Sequence, residues 1–256
     1  MGARVGSLAW VRATRGLLAP LDRIRLLGQG VVLLAHTVPG ELLHALGVRG
    51  SGPIRVDLEA LRLPDSALCH EAERICAARA TPQVINHSYR SYLWAPILAG
   101  HDRLRYDQEV LYVACLLHDI GFKDQPDPEH PYPHCFTLAG AEATLKLALP
   151  SWHPSRAEAA ANAITMHANP WVRPSEGVEA YLITVATKLD VMGTRFRVLD
   201  PAAVRSVLER YPRHGLKQSF CETMSAQAKM HPGSRAHFYT RVLGVNAFIR
   251  RAPFED

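Results

Sequence analysis

The chain has 256 residues, 48% hydrophobic and 21% charged, a composition typical of a globular protein that buries its core without disulfides. The formal net charge is +5, and the first 50 residues carry six arginines against one aspartate and one glutamate. Because no Lys/Arg cluster is interleaved with aromatic residues, a groove for single-stranded nucleic acid is not expected.

The lengths of the apolar runs and the number of cysteines indicate the cellular compartment of the protein. No apolar stretch reaches the roughly 18 residues of a membrane span. The N-terminal run at residues 31–35 is too short for a signal-peptide core. Five cysteines without a CxxC pair favour free thiols in a reducing compartment. We therefore expect a cytoplasmic protein with no nucleic-acid or membrane partner, and leave self-association into a homo-oligomer open.

The first 60 residues predict a helical extension rather than a second core, because glycines and a proline interrupt the pattern at Gly28, Gly30, Pro39 and Gly40. A short alternation at residues 54–58 is a strand candidate. Residues 61–256 are expected to form the main domain.

Helical patterns dominate from about residue 65, and residues 181–185, a possible strand, lie within a longer helical pattern. The fold class is therefore predicted to be all-α, with roughly ten helices. Residues 123–133 contain four prolines and predict a loop. Capping residues indicate helix starts at Ser66, Thr81, Asp107, Ser155 and Asp200.

Polar groups inside apolar helices mark a candidate site. His118 and Asp119 follow the apolar run 110–117, and burying both is costly unless they are paired or bind a metal. Gly121 is suited to end the helix, where neighbouring side chains can reach one ion. Asp190 lies in another apolar helix, and His87 precedes Arg90 on one helical face. Three helices can therefore deliver ligands to one point.

The order His87, His118-Asp119, Asp190 resembles the H…HD…D pattern of the HD superfamily of metal-dependent hydrolases. Five blocks over about residues 80–195 resemble its cyanamide hydratase-like branch, although Thr137 stands where that branch often carries glutamate. The blocks are NHSYR (86–90), LLHDIGF (116–122), CFTLAGAEA (135–143), AITMH (163–167) and ATKLDVMG (186–193).

The resemblance implies an HD-domain helical bundle with one divalent ion held by His87, His118, Asp119 and Asp190. Zinc is the expected ion, with iron or manganese as alternatives and a second metal left open. Such an ion, with water in an open position, lowers the pKa of that water. The implied activity is hydration or hydrolysis of a nitrile- or amide-like small molecule.

Further roles follow from the same resemblance. Lys123 is a candidate to stabilise a transition state or donate a proton, although a solvated loop lysine is an equal alternative. His167 is expected to line the pocket or accept a proton. Arg90 is a candidate substrate ligand or a partner of a structural carboxylate. His134 is a candidate substrate or second-metal ligand.

Three other functions remain open. A phosphohydrolase of a nucleotide or other phosphate ester would use Arg90 and the basic excess to hold phosphate. A two-iron oxygenase would need His134 and His167 as ligands. A non-catalytic HD binding module is disfavoured by the intact ligand set.

Overall fold

The computed structural model describes residues 2–45, 62–126 and 135–256, without the side chains of residues 38–45. This part of the chain contains twelve α-helices and no β-strand, which confirms the all-α prediction. The helices are α1 (Leu8–Thr14), α2 (Pro20–Ala45), α3 (Ala67–Arg79), α4 (Pro82–Asp102), α5 (Gln108–Leu117), α6 (Thr137–Ala148), α7 (Pro154–His167), α8 (Val178–Met192), α9 (Pro201–Arg210), α10 (Leu216–Met230), α11 (Arg235–Arg241) and α12 (Val245–Arg250).

Four helices begin where capping residues predicted. The side chains of Ser66, Thr81, Asp107 and Asp200 each accept a hydrogen bond from a main-chain N–H in the first turn of α3, α4, α5 and α9. These bonds satisfy donors that a helix otherwise leaves free. The predicted cap at Ser155 is wrong, because α7 begins one residue earlier at Pro154. Proline has the backbone angle of a first helical residue, and His153 before it supplies the cap.

The described part of the N-terminal region is helical, and its glycines do not interrupt the second helix. α2 is one helix of 26 residues that runs through Gly28 and Gly30. Residues 181–185 lie inside α8, as the longer helical pattern indicated. The strand candidate at 54–58 and the boundary near residue 60 lie outside the described residues, and that boundary stays a prediction.

The main core surrounds α5. All residues from Val110 to Leu117 are buried, which is the pattern of a central helix covered on every side. α3, α4, α6, α7 and α8 pack around it. The end of α5 therefore lies inside the protein, which is where the sequence places its His-Asp dipeptide.

A second apolar cluster joins the two ends of the chain. Val5, Trp10 and Leu26 from the N-terminal region share it with Leu216 and Phe238 from α10 and α11. The residues before and after the main bundle thus pack against each other. Among the described helices, none combines the length and apolarity of a membrane span.

Two glycines allow the end of α5 to approach α6 closely. A Cβ at Gly140 would lie 2.1 Å from the carbonyl oxygen of Leu117, and one at Gly121 would lie 2.4 Å from that of Phe136. Both distances are far below van der Waals contact. These contacts help to place the residues that follow Leu117.

Candidate metal centre

The His-Asp dipeptide lies in the turn that ends α5. α5 ends at Leu117, and the N–H of Phe122 closes the turn by donating to the carbonyl oxygen of Asp119 at 2.8 Å. His118 is fully buried and Asp119 is 5% exposed. Because the helix ends here, the two adjacent side chains reach the same point.

Three buried residues bring ligand atoms together. His87 from α4, His118 and Asp119 each offer one nitrogen or oxygen atom, and these atoms lie within 4.8 Å of one another. The Nε2 atom of His118 lies 3.2 Å from Nε2 of His87 and 3.2 Å from Oδ2 of Asp119. Ligands about 2.0–2.1 Å from a tetrahedral ion are separated by about 3.3 Å. The separation of Nε2 of His87 from Oδ2 of Asp119 is wider, at 3.9 Å.

When the histidine rings are neutral, their hydrogen bonds leave both Nε2 atoms with lone pairs. Burial opposes protonation of His118, but the neighbouring Asp119 carboxylate outweighs this effect and raises the pKa of the ring. Nδ1–H of His118 donates to the carbonyl oxygen of Cys115 at 2.7 Å, and Nδ1–H of His87 donates to the carboxylate of Asp190 at 2.8 Å. Burial also lowers the pKa of His87, against the opposing effect of Asp190. Two lone pairs that face each other at 3.2 Å repel, and a cation between them removes that repulsion. The donor set therefore fits a divalent ion.

One oxygen of the Asp119 carboxylate, Oδ1, is buried and has no hydrogen-bond donor among the described residues. Nε2 of His167 lies 3.4 Å away, but Nδ1–H of His167 donates to the carbonyl oxygen of Ile164 at 2.6 Å. In neutral His167, Nε2 thus carries a lone pair. Burial lowers the pKa of His167 to about 4. At neutral pH, therefore, Nε2 of His167 and Oδ1 of Asp119 are both hydrogen-bond acceptors, and neither donates to the other.

Asp190, the predicted fourth ligand, has protein partners on both carboxylate oxygens. Its Oδ1 accepts hydrogen bonds from Nε of Arg90 and Nε1 of Trp94, and its Oδ2 accepts from Nη2 of Arg90 and Nδ1 of His87. Both oxygens are therefore engaged on the far side of the His87 ring, and Asp190 does not join the three-residue cluster. A carboxylate in this position orients a ligating histidine.

Arg90 is not free to hold a substrate. It is fully buried, and its donors bind the Asp190 carboxylate and the carbonyl oxygens of Tyr211 and Pro212. The predicted alternative, a pairing with a structural carboxylate, is the arrangement found. The physical reason is that the charge of Asp190 needs a buried counter-ion.

The remaining predicted residues lie in three different situations. Lys123 is partly buried, and its carbonyl oxygen accepts a 2.6 Å hydrogen bond from Gln227 of α10, so its catalytic role stays a prediction. His134 lies outside the described residues. Thr137 is buried at the start of α6, where its hydroxyl accepts from Arg235 at 3.1 Å. Thr137 therefore helps to satisfy a buried guanidinium.

Three phenylalanine rings lie beside the histidines of the site. Phe220 of α10 packs edge-on against His87 with ring centroids 5.0 Å apart, and Phe136 lies 5.9 Å from His167. Phe122 contacts both phenylalanines, at 4.9 and 5.1 Å. Phe220 lies beyond the segment of family resemblance, and no local pattern distinguishes it from a core residue.

Comparisons with known proteins show which proteins this sequence is similar to. Residues 84–192 match the model of the HD domain. Two cyanamide hydratases of Saccharomyces cerevisiae, DDI2 and DDI3, are each 26% identical to the chain over 173 residues, which cover 66% of this chain and 76% of each relative. The residues matched by the HD-domain model include His87, the His-Asp dipeptide, His167 and Asp190. The chain is thus similar to HD-domain proteins over residues 84–192, and it is similar to two proteins that are named as cyanamide hydratases.

Proposed function

We propose that this protein is a metal-dependent hydratase or hydrolase that acts on a small, uncharged nitrile- or amide-like molecule. The observation that carries the proposal is the buried convergence of acceptor atoms from His87, His118 and Asp119. A divalent ion held there, with zinc as the first choice, supplies a water of lowered pKa as the nucleophile.

Asp190 and His167, which surround this cluster, have different roles in the proposal. Asp190 holds the Nδ1–H of His87, so that Nε2 of this ring keeps its lone pair toward the cluster. His167, whose pKa burial lowers to about 4, has its Nε2 atom 3.4 Å from Oδ1 of Asp119; in this proposal it takes a proton from the nucleophile and returns it to the substrate nitrogen. Asp190 is thus assigned to positioning rather than to direct ligation.

The surroundings favour an uncharged substrate over a phosphate ester. Phe122, Phe136 and Phe220 pack around the histidines, and aromatic walls do not stabilise a multiply charged anion. Arg90, the arginine that a phosphate would have used, is engaged by Asp190. The similar yeast proteins are named as cyanamide hydratases, which agrees with a small nitrile-like substrate.

A panel of substrates tests the proposal. Purified protein loaded with zinc, iron or manganese is given cyanamide, small nitriles and small amides, and product formation is compared with phosphate release from nucleotides. We expect turnover of at least one uncharged compound, lost in Asp119→Asn and kept in Asp65→Asn, an aspartate whose side chain is 87% exposed. Phosphate release that depends on Asp119, without turnover of the uncharged compounds, would replace the proposal with a phosphohydrolase.

His167 provides a separate test of the mechanism. His167→Gln is expected to keep the metal content while lowering kcat by about 10²–10⁴-fold, the usual range for a lost general base. An unchanged kcat with full metal content would remove His167 from the proton path.

A further inference from the structure

The outward surface of α2 carries an unusual concentration of exposed apolar side chains. Of the ten large hydrophobic residues that are exposed in the described part of the chain, six lie in α2. They are Leu21, Ile24, Leu27, Val31, Val32 and Leu34. Scattered exposed hydrophobic residues are normal, but a contiguous set usually marks an interaction surface.

α2 is attached to the protein by its opposite side. Leu26 is fully buried, the Oε1 atom of Gln29 accepts from the main-chain N–H of Trp171 at 3.5 Å, and the ring of His36 stacks on Trp171 at 4.5 Å. At 100° per residue, Ile24 and Val31 lie almost opposite Leu26. Their side chains are 64% and 66% exposed. The apolar stripe therefore faces away from the fold.

Arginines border this stripe on both sides. The same helical geometry places Arg25 at one edge of the outward face and Arg23 at the other, and both are exposed. Arg12 and Arg15, just before α2, are exposed as well. The charged ends of such side chains can reach polar headgroups while the helix lies among the first carbons of the acyl chains.

The charges around the apolar stripe favour a lipid surface over a second copy of the chain as its partner. Between residues 2 and 37 the one carboxylate is Asp22, which is 7% exposed and accepts hydrogen bonds from Trp10 and Ala19 and lies 3.6 Å from Arg25. The same region of a second copy would therefore bring further arginines and no free carboxylate. Anionic headgroups supply the missing negative charge.

We propose that α2 is a membrane-surface helix, which docks the protein on an anionic bilayer with its Leu21–Leu34 stripe in the interface and Arg23 and Arg25 at the headgroups. The expectation of no membrane partner rests on the lack of a spanning run, which does not bear on a helix that lies on the surface. The proposal does not depend on the reaction at the metal centre.

Vesicle sedimentation with the full chain is the test. The vesicles contain phosphatidylcholine alone or with about one third phosphatidylglycerol. We expect the protein to sediment with the anionic vesicles at low salt, to be released at high salt, and to stay in solution with the neutral vesicles. Each arginine near an anionic surface changes binding about fivefold, so Arg23→Gln/Arg25→Gln should bind roughly 30-fold more weakly.

The apolar stripe has its own variant and a matched control. Ile24→Ser/Val31→Ser should bind anionic vesicles at least roughly tenfold more weakly, because two side chains no longer insert. Leu149→Ser/Val242→Ser changes residues that are 48% and 59% exposed outside α2, and should bind like the wild type. All variants change exposed positions, so thermal midpoints equal to that of the wild type are expected and are checked first.

Three results would overturn the proposal. The first is equal sedimentation of the wild type and the stripe variant, and the second is no binding to either type of vesicle. The third is a wild-type dimer in light scattering that the stripe variant alone dissociates, because the stripe would then be an interface between two copies.

Discussion

At the residue scale, the two aspartates of the site have different surroundings. Asp119 has one buried oxygen with no donor among the described residues, whereas both oxygens of Asp190 are saturated by Arg90, Trp94 and His87. Burial alone would raise the pKa of both carboxyl groups, but the charge and hydrogen bond of His118 at Asp119, and those of Arg90 and His87 at Asp190, outweigh it and hold each pKa below the usual range. Both are therefore ionised, and a metal would provide the positive partner that Oδ1 of Asp119 calls for.

Asp119→Asn is expected to abolish metal binding without loss of the fold. The change keeps the side-chain volume, and the charge that it removes has one oxygen without a described donor, so the metal-free variant should stay folded. Metal content after dialysis and the thermal midpoint without metal are the two measurements. Full metal content in this variant would contradict the ligand assignment.

Asp190→Asn is expected to destabilise the fold and to weaken metal binding only in part. It leaves the guanidinium of Arg90 buried without a counter-ion, which costs roughly 3–5 kcal/mol of folding free energy. The His87 ring loses its carboxylate acceptor, so metal affinity should fall about 10–100-fold rather than vanish. Denaturant unfolding and metal titration separate the two effects. An unchanged free energy of unfolding would refute the proposed role of the Arg90 ion pair.

At the scale of elements, the close approach of α6 to the end of α5 positions the dipeptide. Gly140→Ala would place a methyl group 2.1 Å from the carbonyl oxygen of Leu117, and backbone has to shift to relieve that contact. We expect a loss of roughly 1–3 kcal/mol in the free energy of unfolding, together with weaker metal binding.

Gly100 in α4 is the matched control. A Cβ there meets no atom within 4 Å, and Gly100→Ala should stabilise the helix by up to about 1 kcal/mol. If both glycine variants had the same stability in denaturant, the contact between α5 and α6 would not be the constraint described.

The end of α4 is tied to the segment after α8 by Asp102. Burial would raise the pKa of Asp102, but hydrogen bonds from Arg195, Tyr181 and His101 lower it to about 2, below its ordinary value. A carboxyl group with a lowered pKa stabilises the fold above its unfolded pKa of about 3.9. That contribution is lost as the pH falls through 2.

Asp102→Asn is therefore expected to lose roughly 1–2 kcal/mol at pH 7, after allowance for partial exposure, and to approach the wild type between about pH 4 and 2. Urea unfolding of both proteins across this range is the measurement. A stability difference that stayed constant down to about pH 2 would show that the ionised Asp102 contributes nothing.

Local sequence predicts the elements more completely than the contacts between them. Helix starts at Thr81 and Asp107 are encoded by nearby capping residues, and the cost of burying His118 and Asp119 indicates that they are paired or bind a metal. The position of Asp190 relative to His87 depends on how α8 packs against α4, 103 residues away in sequence. No local pattern carries that information, so a direct ligand and an orienting carboxylate look alike in the sequence.

On the scale of the whole molecule, the candidate metal centre lies where the two apolar clusters meet. His87 and His118 come from helices of the main bundle, while Phe122 and Phe220 belong to the cluster formed with the chain ends. Nothing in the sequence links these ends to the site. Their contribution could not be predicted, because it arises from packing between residues that lie far apart along the chain.

Metal content of the purified protein is the most direct test of metal binding by His87, His118 and Asp119. Elemental analysis should find about one divalent ion per chain in the wild type and essentially none in His118→Ala, because the His87, His118 and Asp119 atoms form a single cluster. The wild type stripped with a chelator should regain the ion on titration and unfold at a higher temperature once it is bound. A stripped wild type that neither binds zinc, iron or manganese nor gains stability from them would contradict the account.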